Sequence, residues 1–280
     1  MKYYTPLRYP GGKAKIINFM KRFIELNYNE PPVYVEPYAG GASVALSLLI
    51  DRYVKRIYIN DNDYGIYCFW QSILEYTENF IEYIKKTPIT INSWNIQKNI
   101  CNNMQSHSQI DIGFATFFLN RCNYSGIIKG GPIGGKQQLG TWKIDARFNK
   151  LDLIERILKI AEHKKFIKLY NEDTLCLLKK HNKLFEKYLL YLDPPYFNKG
   201  YQLYNNHYKK DDHEKIANIV RKLKGKWIVS YDNVPEIINL YDFVEKPIEF
   251  NINYSAGKNK NGREVMFISN QSLIPDYAVC

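Results

Sequence analysis

Short β-forming runs recur along this chain, each closed by a polar or acidic residue and several separated by helix-like stretches. That alternation constrains the fold more than any other feature. Residues 33–36 make the first run, ending at Glu36 and followed by Pro37-Tyr38-Ala39-Gly40-Gly41 and a helix-like stretch over 42–50. Residues 56–60 make the second, ending at Asp61, and 166–170 the third, followed by Asn171-Glu172-Asp173. The fourth, 188–192, ends at Asp193; the fifth, 226–230, ends at Tyr231-Asp232-Asn233. Helix-like stretches cover 151–162 and 212–223. Such alternation predicts an α/β fold with a mostly parallel sheet. The C-terminal end departs from it. There, 247–254 and 263–269 flank a Gly/Asn/Lys turn at 257–262, which predicts a hairpin and one antiparallel strand.

Strands two and three are about a hundred residues apart, whereas a parallel crossover needs about a dozen. An insertion over 64–150 follows from this, with the sheet built from 1–63 and 151–280. The insertion is aromatic-rich, and its second half carries Asn123-Tyr124-Ser125-Gly126 and then Lys129-Gly130-Gly131-Pro132-Ile133-Gly134-Gly135-Lys136. Glycines with lysines suit a basic hairpin lying on a polyanion. The whole chain agrees: 39 Lys and Arg against 28 Asp and Glu give a net charge of +11. A nucleic acid is the partner such a surface favours, because phosphate contacts release counterions. In the insertion, Lys129, Lys136 and Lys143 are expected on phosphates, and Arg121, Gln137 or Gln138 on base edges.

Several classes are excluded. The five cysteines are scattered and never form a Cys-x-x-Cys pair, which argues against a zinc ribbon or disulfide framework and fits a reducing compartment. The histidines show no metal-like spacing, so no metal is expected. The N-terminus has no apolar signal core, and the longest apolar stretch, 42–50, is too short to span a bilayer. The expectation is a soluble, cytoplasmic, nucleoid-associated monomer with no membrane partner. Pro10-Gly11-Gly12-Lys13 lacks the spacing of a triphosphate-binding loop and has Ala14 where Ser or Thr is required.

Two places carry chemistry. Glu36, Tyr38, Gly40 and Gly41 stand where strand one turns into a helix, where small residues let the backbone approach a ligand. Asp61, ending strand two, is placed to accept from ribose hydroxyls, or alternatively to form part of a helix-capping turn with Asn62 and Asp63. The dinucleotide spacing fails, since Ala42 and Ala45 stand at the second and third glycine positions. Asp193-Pro194-Pro195-Tyr196, closing strand four, is more informative. Two prolines make a rigid, non-helical exit in which Asp193 and Pro194 present oxygens and Tyr196 an aromatic face. A planar exocyclic amine such as adenine N6 needs this set. Its lone pair is delocalised, and hydrogen bonds from both N6 hydrogens to the Asp193 carboxylate and Pro194 carbonyl favour a nucleophilic nitrogen. Tyr196 would stack on a base drawn out of its helix. An RNA adenine or a glutamine amide would suit the same motif, and a non-catalytic DNA-binding module would not require it.

Taken in order, these segments resemble the Dam-type DNA adenine methyltransferases over nearly the whole chain. Leu7-Arg8-Tyr9-Pro10-Gly11-Gly12-Lys13 is similar to the N-terminal motif, 35–44 to the glycine-containing cofactor motif with Ala42 for its second glycine, and Asp61 to the ribose-binding acid. Asp173 is similar to the acid that contacts the cofactor's adenine. Phe118-Leu119-Asn120-Arg121 through Gly126 resembles the start of the DNA-reading hairpin, which brings in Asn123 and Tyr124. Asp193 to Tyr196 matches the catalytic motif. The resemblance implies a Rossmann-like methyltransferase sheet carrying an inserted helical and hairpin target-recognition domain. It also implies S-adenosyl-L-methionine as cofactor, with Tyr9, Lys13, Asp61 and Asp193 at its site, and double-stranded DNA as substrate. A partner restriction endonuclease would be consistent with it.

Overall fold

The structure is a computed structural model describing residues 3–8, 16–197, 208–254 and 260–275, with the backbone alone at 251–254 and 260–262. Its elements run α1 (Ile17–Asn27), β1 (Val33–Glu36), α2 (Ser43–Ile50), β2 (Arg56–Asn60), α3 (Tyr64–Glu75), α4 (Thr77–Lys86), α5 (Ile91–Asn102), α6 (Gln109–Cys122) and α7 (Lys150–Ala161). They continue with β3 (Ile167–Tyr170), α8 (Thr174–Phe185), β4 (Leu189–Leu192), α9 (Lys210–Val220), β5 (Trp227–Asp232), α10 (Pro235–Leu240), β6 (Ile248–Tyr254) and β7 (Lys260–Ile268). No helix among the described residues is long and apolar enough to cross a membrane.

The chain divides into two compact units, one of residues 3–8 and 63–165, the other of residues 16–62 and 166–275. The second holds a seven-stranded sheet in the order β3-β2-β1-β4-β5-β7-β6. Pairings from β3 through β5 are parallel; β7 runs antiparallel to both β5 and β6. This is the expected mostly parallel α/β sheet with its C-terminal antiparallel hairpin. The hairpin is tighter than the sequence suggests: Lys260 to Gly262 already pair with β6, where a turn was expected.

Strand alternation divides the side chains of this sheet between two faces. Val33 and Val35, Leu190 and Leu192, Val229 and Tyr231, and Val265 and Phe267 pack with Leu177, Leu178, Phe185, Ile216 and Val220 of α8 and α9. Tyr34, Tyr191, Ile228 and Ser230 belong to the opposite face and are likewise buried. Burial on both faces explains why β1 and β4 read as continuous apolar runs. Each such side chain contributes roughly 1.5–3 kcal/mol. Strand order reverses between β1 and β4, whose carboxyl ends carry Glu36 and, one residue on, Asp193. In such sheets ligands bind outside the carboxyl ends at that reversal.

The other unit is helical. Phe69, Phe80, Phe114 and Phe117 interlock at ring separations of 5.5–6.3 Å. Side chains cap the helices: Asp63 accepts from the Gly65 and Ile66 N–H groups at 2.9 and 3.2 Å, Ser108 caps α6 and Asn149 caps α7. The bounds of this unit differ from the 64–150 read in the sequence. It takes in α7, because Arg156 donates to the Thr5 carbonyl at 3.0 Å and Lys150 to the Lys85 and Thr87 carbonyls at 2.8 Å. It also takes in residues 3–8, because the Asn120 amide brackets the backbone of Arg8, accepting its N–H at 2.7 Å and donating to its carbonyl at 2.6 Å.

The segment after α6, expected as a hairpin, forms one isolated bridge, Asn123 with Pro132, followed by turns. Gly126, Gly134 and Gly135 have positive φ there, so no ladder can propagate. Gly126 (φ 77°) lies against the Arg8 carbonyl, where a Cβ would collide. Gly126→Ala should therefore destabilise this unit by about 2–4 kcal/mol, combining the left-handed penalty with a forced backbone shift. Gly131→Ala, where an added Cβ meets nothing within 4 Å, should change stability by less than about 0.5 kcal/mol. Urea unfolding midpoints of the two variants provide the comparison.

Candidate active site and nucleic-acid interface

Three loops leave the carboxyl ends of β1, β2 and β3 and are tied together by a residue that the sequence reading passed over. Asn60 is buried, and its amide donates to the Pro37 carbonyl at 2.9 Å and the Glu172 carbonyl at 3.0 Å while accepting the Glu172 N–H at 2.9 Å. Thr174 adds a bond to the same Pro37 carbonyl at 3.2 Å. The loop after β1 then turns through two left-handed residues, Gly40 (φ 47°) and Ala42 (φ 46°). Ala42 is a non-glycine residue in that region, and strain of this kind gathers at ligand sites. The Gly40 N–H donates to the Asp61 carboxylate at 2.8 Å, so Asp61 fixes the shape of the loop. Asp63, two residues on, caps α3 through the Gly65 and Ile66 N–H groups, so of the two roles the sequence left open the helix cap falls to Asp63.

Ala42 offers α2 no side-chain cap. Glu36 takes that place from the end of β1: it is 5% exposed, and its carboxylate accepts the Ala45 N–H at 3.1 Å. Burial pushes the Glu36 carboxyl well above the usual range, and the nearby Asp193 adds to this, while the Ala45 N–H works against it. Tyr38 is turned to Tyr208, the two hydroxyls lying 2.8 Å apart. Asp173 caps α8 through the Cys176 N–H at 3.1 Å, whereas Glu172 pairs with Lys180 at 2.9 Å. Tyr9 and Lys13 lie outside the described residues.

At the end of β4 the Asp193 carboxylate accepts a hydrogen bond from the Ser230 hydroxyl at 3.0 Å, and Ser230 meets the Tyr191 hydroxyl at 2.8 Å. Pro194 is buried and Pro195 half-buried. The Phe197 N–H donates to Asp232 at 3.0 Å, pinning the exit of the motif. Tyr196 departs from expectation. Instead of presenting an open ring it is 3% exposed, and its hydroxyl donates to the buried Glu264 on β7 at 2.8 Å. A buried phenol must find an acceptor, and Glu264 serves as one. Ser230, Tyr191 and Glu264 were not singled out from sequence. Polar residues at strand positions otherwise occupied by apolar ones were the signal available.

The expected DNA-contacting residues separate into two groups. Arg121 is turned inward, donating through Nε and Nη2 to the Arg147 carbonyl and through Nη1 to the Pro6 carbonyl at 3.4 Å. Burial, with Arg8 and Arg156 nearby, pushes its guanidinium down to about 10. Asn123 is fully buried, accepting from the Trp94 indole at 2.7 Å and donating to the Ile127 and Ile128 carbonyls. Gln138 donates to the Ile133 and Gly135 carbonyls at 2.8 and 2.6 Å and accepts the Ile144 N–H at 2.8 Å. These three satisfy the backbone of an irregular loop, and as placed none presents its polar atoms to a base. Tyr124, Lys129, Lys136, Gln137 and Lys143 are exposed. Among them stand two apolar residues the sequence reading missed, Leu139 at 81% and Trp142 at 71% exposure. A tryptophan within a Gly- and Lys-rich loop was the available signal.

Residues 9–257 match the model of the D12 class N6 adenine-specific DNA methyltransferases. The type II methyltransferase M.CviBI of Paramecium bursaria Chlorella virus NC1A is 22% identical, over 92% of this chain and 95% of its own. Two solved structures resemble the chain distantly. The rRNA methyltransferase aviRa of Streptomyces viridochromogenes has 8% identity and a TM-score of 0.41, over 93% of this chain and 86% of its own. M. capricolum TrmK, solved with S-adenosyl-homocysteine, has 9% identity and a TM-score of 0.37, over 93% and 70%. By the family match the chain belongs to the D12 class N6 adenine-specific DNA methyltransferases: it methylates adenine N6 in DNA, using a cofactor of the S-adenosylmethionine type.

Proposed function

We propose that the chain methylates a specific duplex sequence, acting on an adenine turned out of the helix into the carboxyl edge of the sheet. The observation that carries this reading is the Asp193 carboxylate, held by Ser230 at the β1–β4 reversal. The loop after β1 fits S-adenosyl-L-methionine. Gly40 and Ala42 bring backbone rather than side chain toward the ligand, with Gly41 between them, and the Glu36, Asp61 and Asp173 carboxylates supply acceptors for its amine and hydroxyls. Tyr9, Lys13 and Tyr38 complete this assignment. The cofactor supplies a methyl group on cationic sulfur, which keeps the C–S bonding electrons as the N6–C bond forms.

The protein's own work is orientation and charge. Asp193 and the Pro194 carbonyl accept hydrogen bonds from the two N6 hydrogens, one of which leaves as a proton to solvent once the N6–C bond has formed, and Pro195 has no N–H to compete. Both acceptors stabilise the positive charge that grows on N6, and a fixed line of approach supplies much of the rate. Tyr196 walls the base site with its ring plane set by Glu264. Asp193→Ala should fold and lose a hundredfold or more in turnover, the scale of removing a key polar stabiliser. Labelled-methyl transfer to unmethylated genomic DNA measures this, and turnover near the parent value would remove Asp193 from the mechanism.

The helical unit is the target-recognition domain in this reading, and its exposed loop is the DNA-contacting surface. Lys129, Lys136 and Lys143 are placed there for phosphates, Tyr124 and Gln137 for groove contacts, and Leu139 and Trp142 as apolar contacts to bases. The likeness to a type II methyltransferase supports a restriction endonuclease sharing the target sequence. Lys129→Ala and Lys136→Ala should weaken binding evenly across sequences and lower the salt slope by about one unit each. Gln137→Ala should instead relax specificity at one base pair by about 1–3 kcal/mol, with the slope nearly unchanged. Binding isotherms at several salt concentrations separate the two effects. If neither class alters binding, this loop is not the DNA reader.

Asp61→Ala should abolish the thermal shift given by S-adenosylhomocysteine, because it removes a ribose acceptor and releases the Gly40 N–H together. An undiminished shift would assign the ribose to another acid.

A further inference from the structure

Asp193 does not stand alone at the end of β4. Strand periodicity puts Tyr191 on the same face two residues earlier, and the β4–β5 register pairs Leu192 with Val229, so Ser230 lies beside Asp193 on the next strand. Tyr191 and Ser230 are both fully buried, on the face that also carries Ile228 and Met266 and, toward its carboxyl edge, Glu36 and Glu264. Two hydroxyls are unexpected there unless they serve each other or a third group, since an unpaired buried hydroxyl costs roughly 1–3 kcal/mol. Here they form a line: the Tyr191 and Ser230 oxygens are 2.8 Å apart, and Ser230 is 3.0 Å from Asp193 Oδ1.

The direction of the line follows from proton counting. An ionised carboxylate only accepts, so Ser230 must give its single proton to Asp193. Tyr191 must then donate to Ser230. Burial pushes the Tyr191 phenol well above its ordinary range, with the Asp193 charge adding to this, so it keeps the proton it has to donate. The surroundings give such a line a task. Glu36 lies close enough to Asp193 for the two carboxyls to interact unfavourably, and the Tyr196 hydroxyl donates to Glu264.

We propose that Tyr191 and Ser230 are positioning residues for methyl transfer, a one-way hydrogen-bond line that fixes the rotamer and charge of Asp193 so that it can accept from adenine N6. This rests on the role given to Asp193 above. The pair touches neither base nor cofactor; it acts only through that carboxylate. Removing it should leave binding intact and slow the step in which charge develops on N6.

The test is steady-state methyl transfer by the full chain, with S-adenosylmethionine and unmethylated genomic DNA, on Ser230→Ala, Tyr191→Phe, the double variant, Ser230→Thr and Asp193→Ala. Ser230→Ala removes a hydrogen bond to a charged group and should lower kcat by about tenfold to a hundredfold, with KM for DNA and cofactor within about twofold. Tyr191→Phe keeps the ring and should cost about threefold to tenfold in kcat. In the Ser230→Ala background, Tyr191→Phe should cost nothing further, because its only route to Asp193 is gone. Ser230→Thr keeps the hydroxyl and should retain most of the parent kcat. The shift given by S-adenosylhomocysteine should stay near the parent value in the Ser230 and Tyr191 variants, while Ser230→Ala, which strands the buried Tyr191 hydroxyl, should lower the thermal midpoint and the double variant should recover part of that loss. Additive losses in the double variant, or losses confined to KM, overturn the proposal. If Asp193→Ala is inactive and Ser230→Ala turns over at the parent rate, the line fails alone; if Asp193→Ala itself turns over normally, both readings fail.

Discussion

Parallel pairing of β1 with β4 is the constraint on which the rest of the sheet unit depends. It places strands one and four of the sequence side by side and sends their outgoing connections in opposite directions, which opens a crevice at their carboxyl ends. Whatever is to be chemistry must come from residues just beyond those strands. Glu36, the left-handed turn at Gly40 and Ala42, and Asp193 all stand there. Asn60 ties the loop on one side of that crevice to its neighbour, because one buried amide satisfies backbone groups of both the loop after β1 and the loop after β3. A site made of loops has become as defined as the sheet beneath it.

The carboxyl edge of the sheet gathers several acids, three held by backbone N–H groups and two by side-chain hydroxyls. Glu36 accepts an N–H from the first turn of α2, where the helix dipole favours a negative group. Asp61 accepts a loop amide, Asp232 the Phe197 N–H, and Glu264 the Tyr196 phenol. Asp193 accepts from Ser230. Acids this close are tolerable because donors from backbone and side chain are fixed against them before any ligand arrives. A field set in advance is also what stabilises charge appearing on a bound amine.

In the helical unit the same accounting runs the other way. Its glycine-rich loop cannot form a ladder, so side chains satisfy the backbone: Asn120 for Arg8, Asn123 for Ile127 and Ile128, Gln138 for Ile133 and Gly135, and Arg121 for Arg147. Residues that look like readers of DNA are thereby spent on shape. Lys143, though exposed, likewise donates to the Gln138 carbonyl at 2.7 Å, and those left outside are Lys129, Lys136, Gln137 and the apolar pair Leu139 and Trp142, all carried on a loop whose geometry is set from within.

The strands, the C-terminal hairpin and the rigid exit after β4 were legible in the sequence because they rest on local physics. Short apolar runs bounded by turn residues suit strands, a strand ending in Asp-Pro-Pro-Tyr can continue only as a rigid exit, and an unusually long crossover must contain an insertion. Unit boundaries, the partners of each polar side chain and the exposure of each loop residue were not legible, because they depend on contacts between residues far apart in the chain. Arg121 and Lys129 look alike as cations, yet one meets the carbonyls of Arg147 and Pro6 and the other meets solvent. Tyr196 could be read as an aromatic face, but only the antiparallel return of β7 brings Glu264 to its hydroxyl. Likewise Asp193 was evident from its motif, whereas the line from Tyr191 through Ser230 exists only because β4 and β5 pair in one register and the side-chain period of two puts all three on the same face.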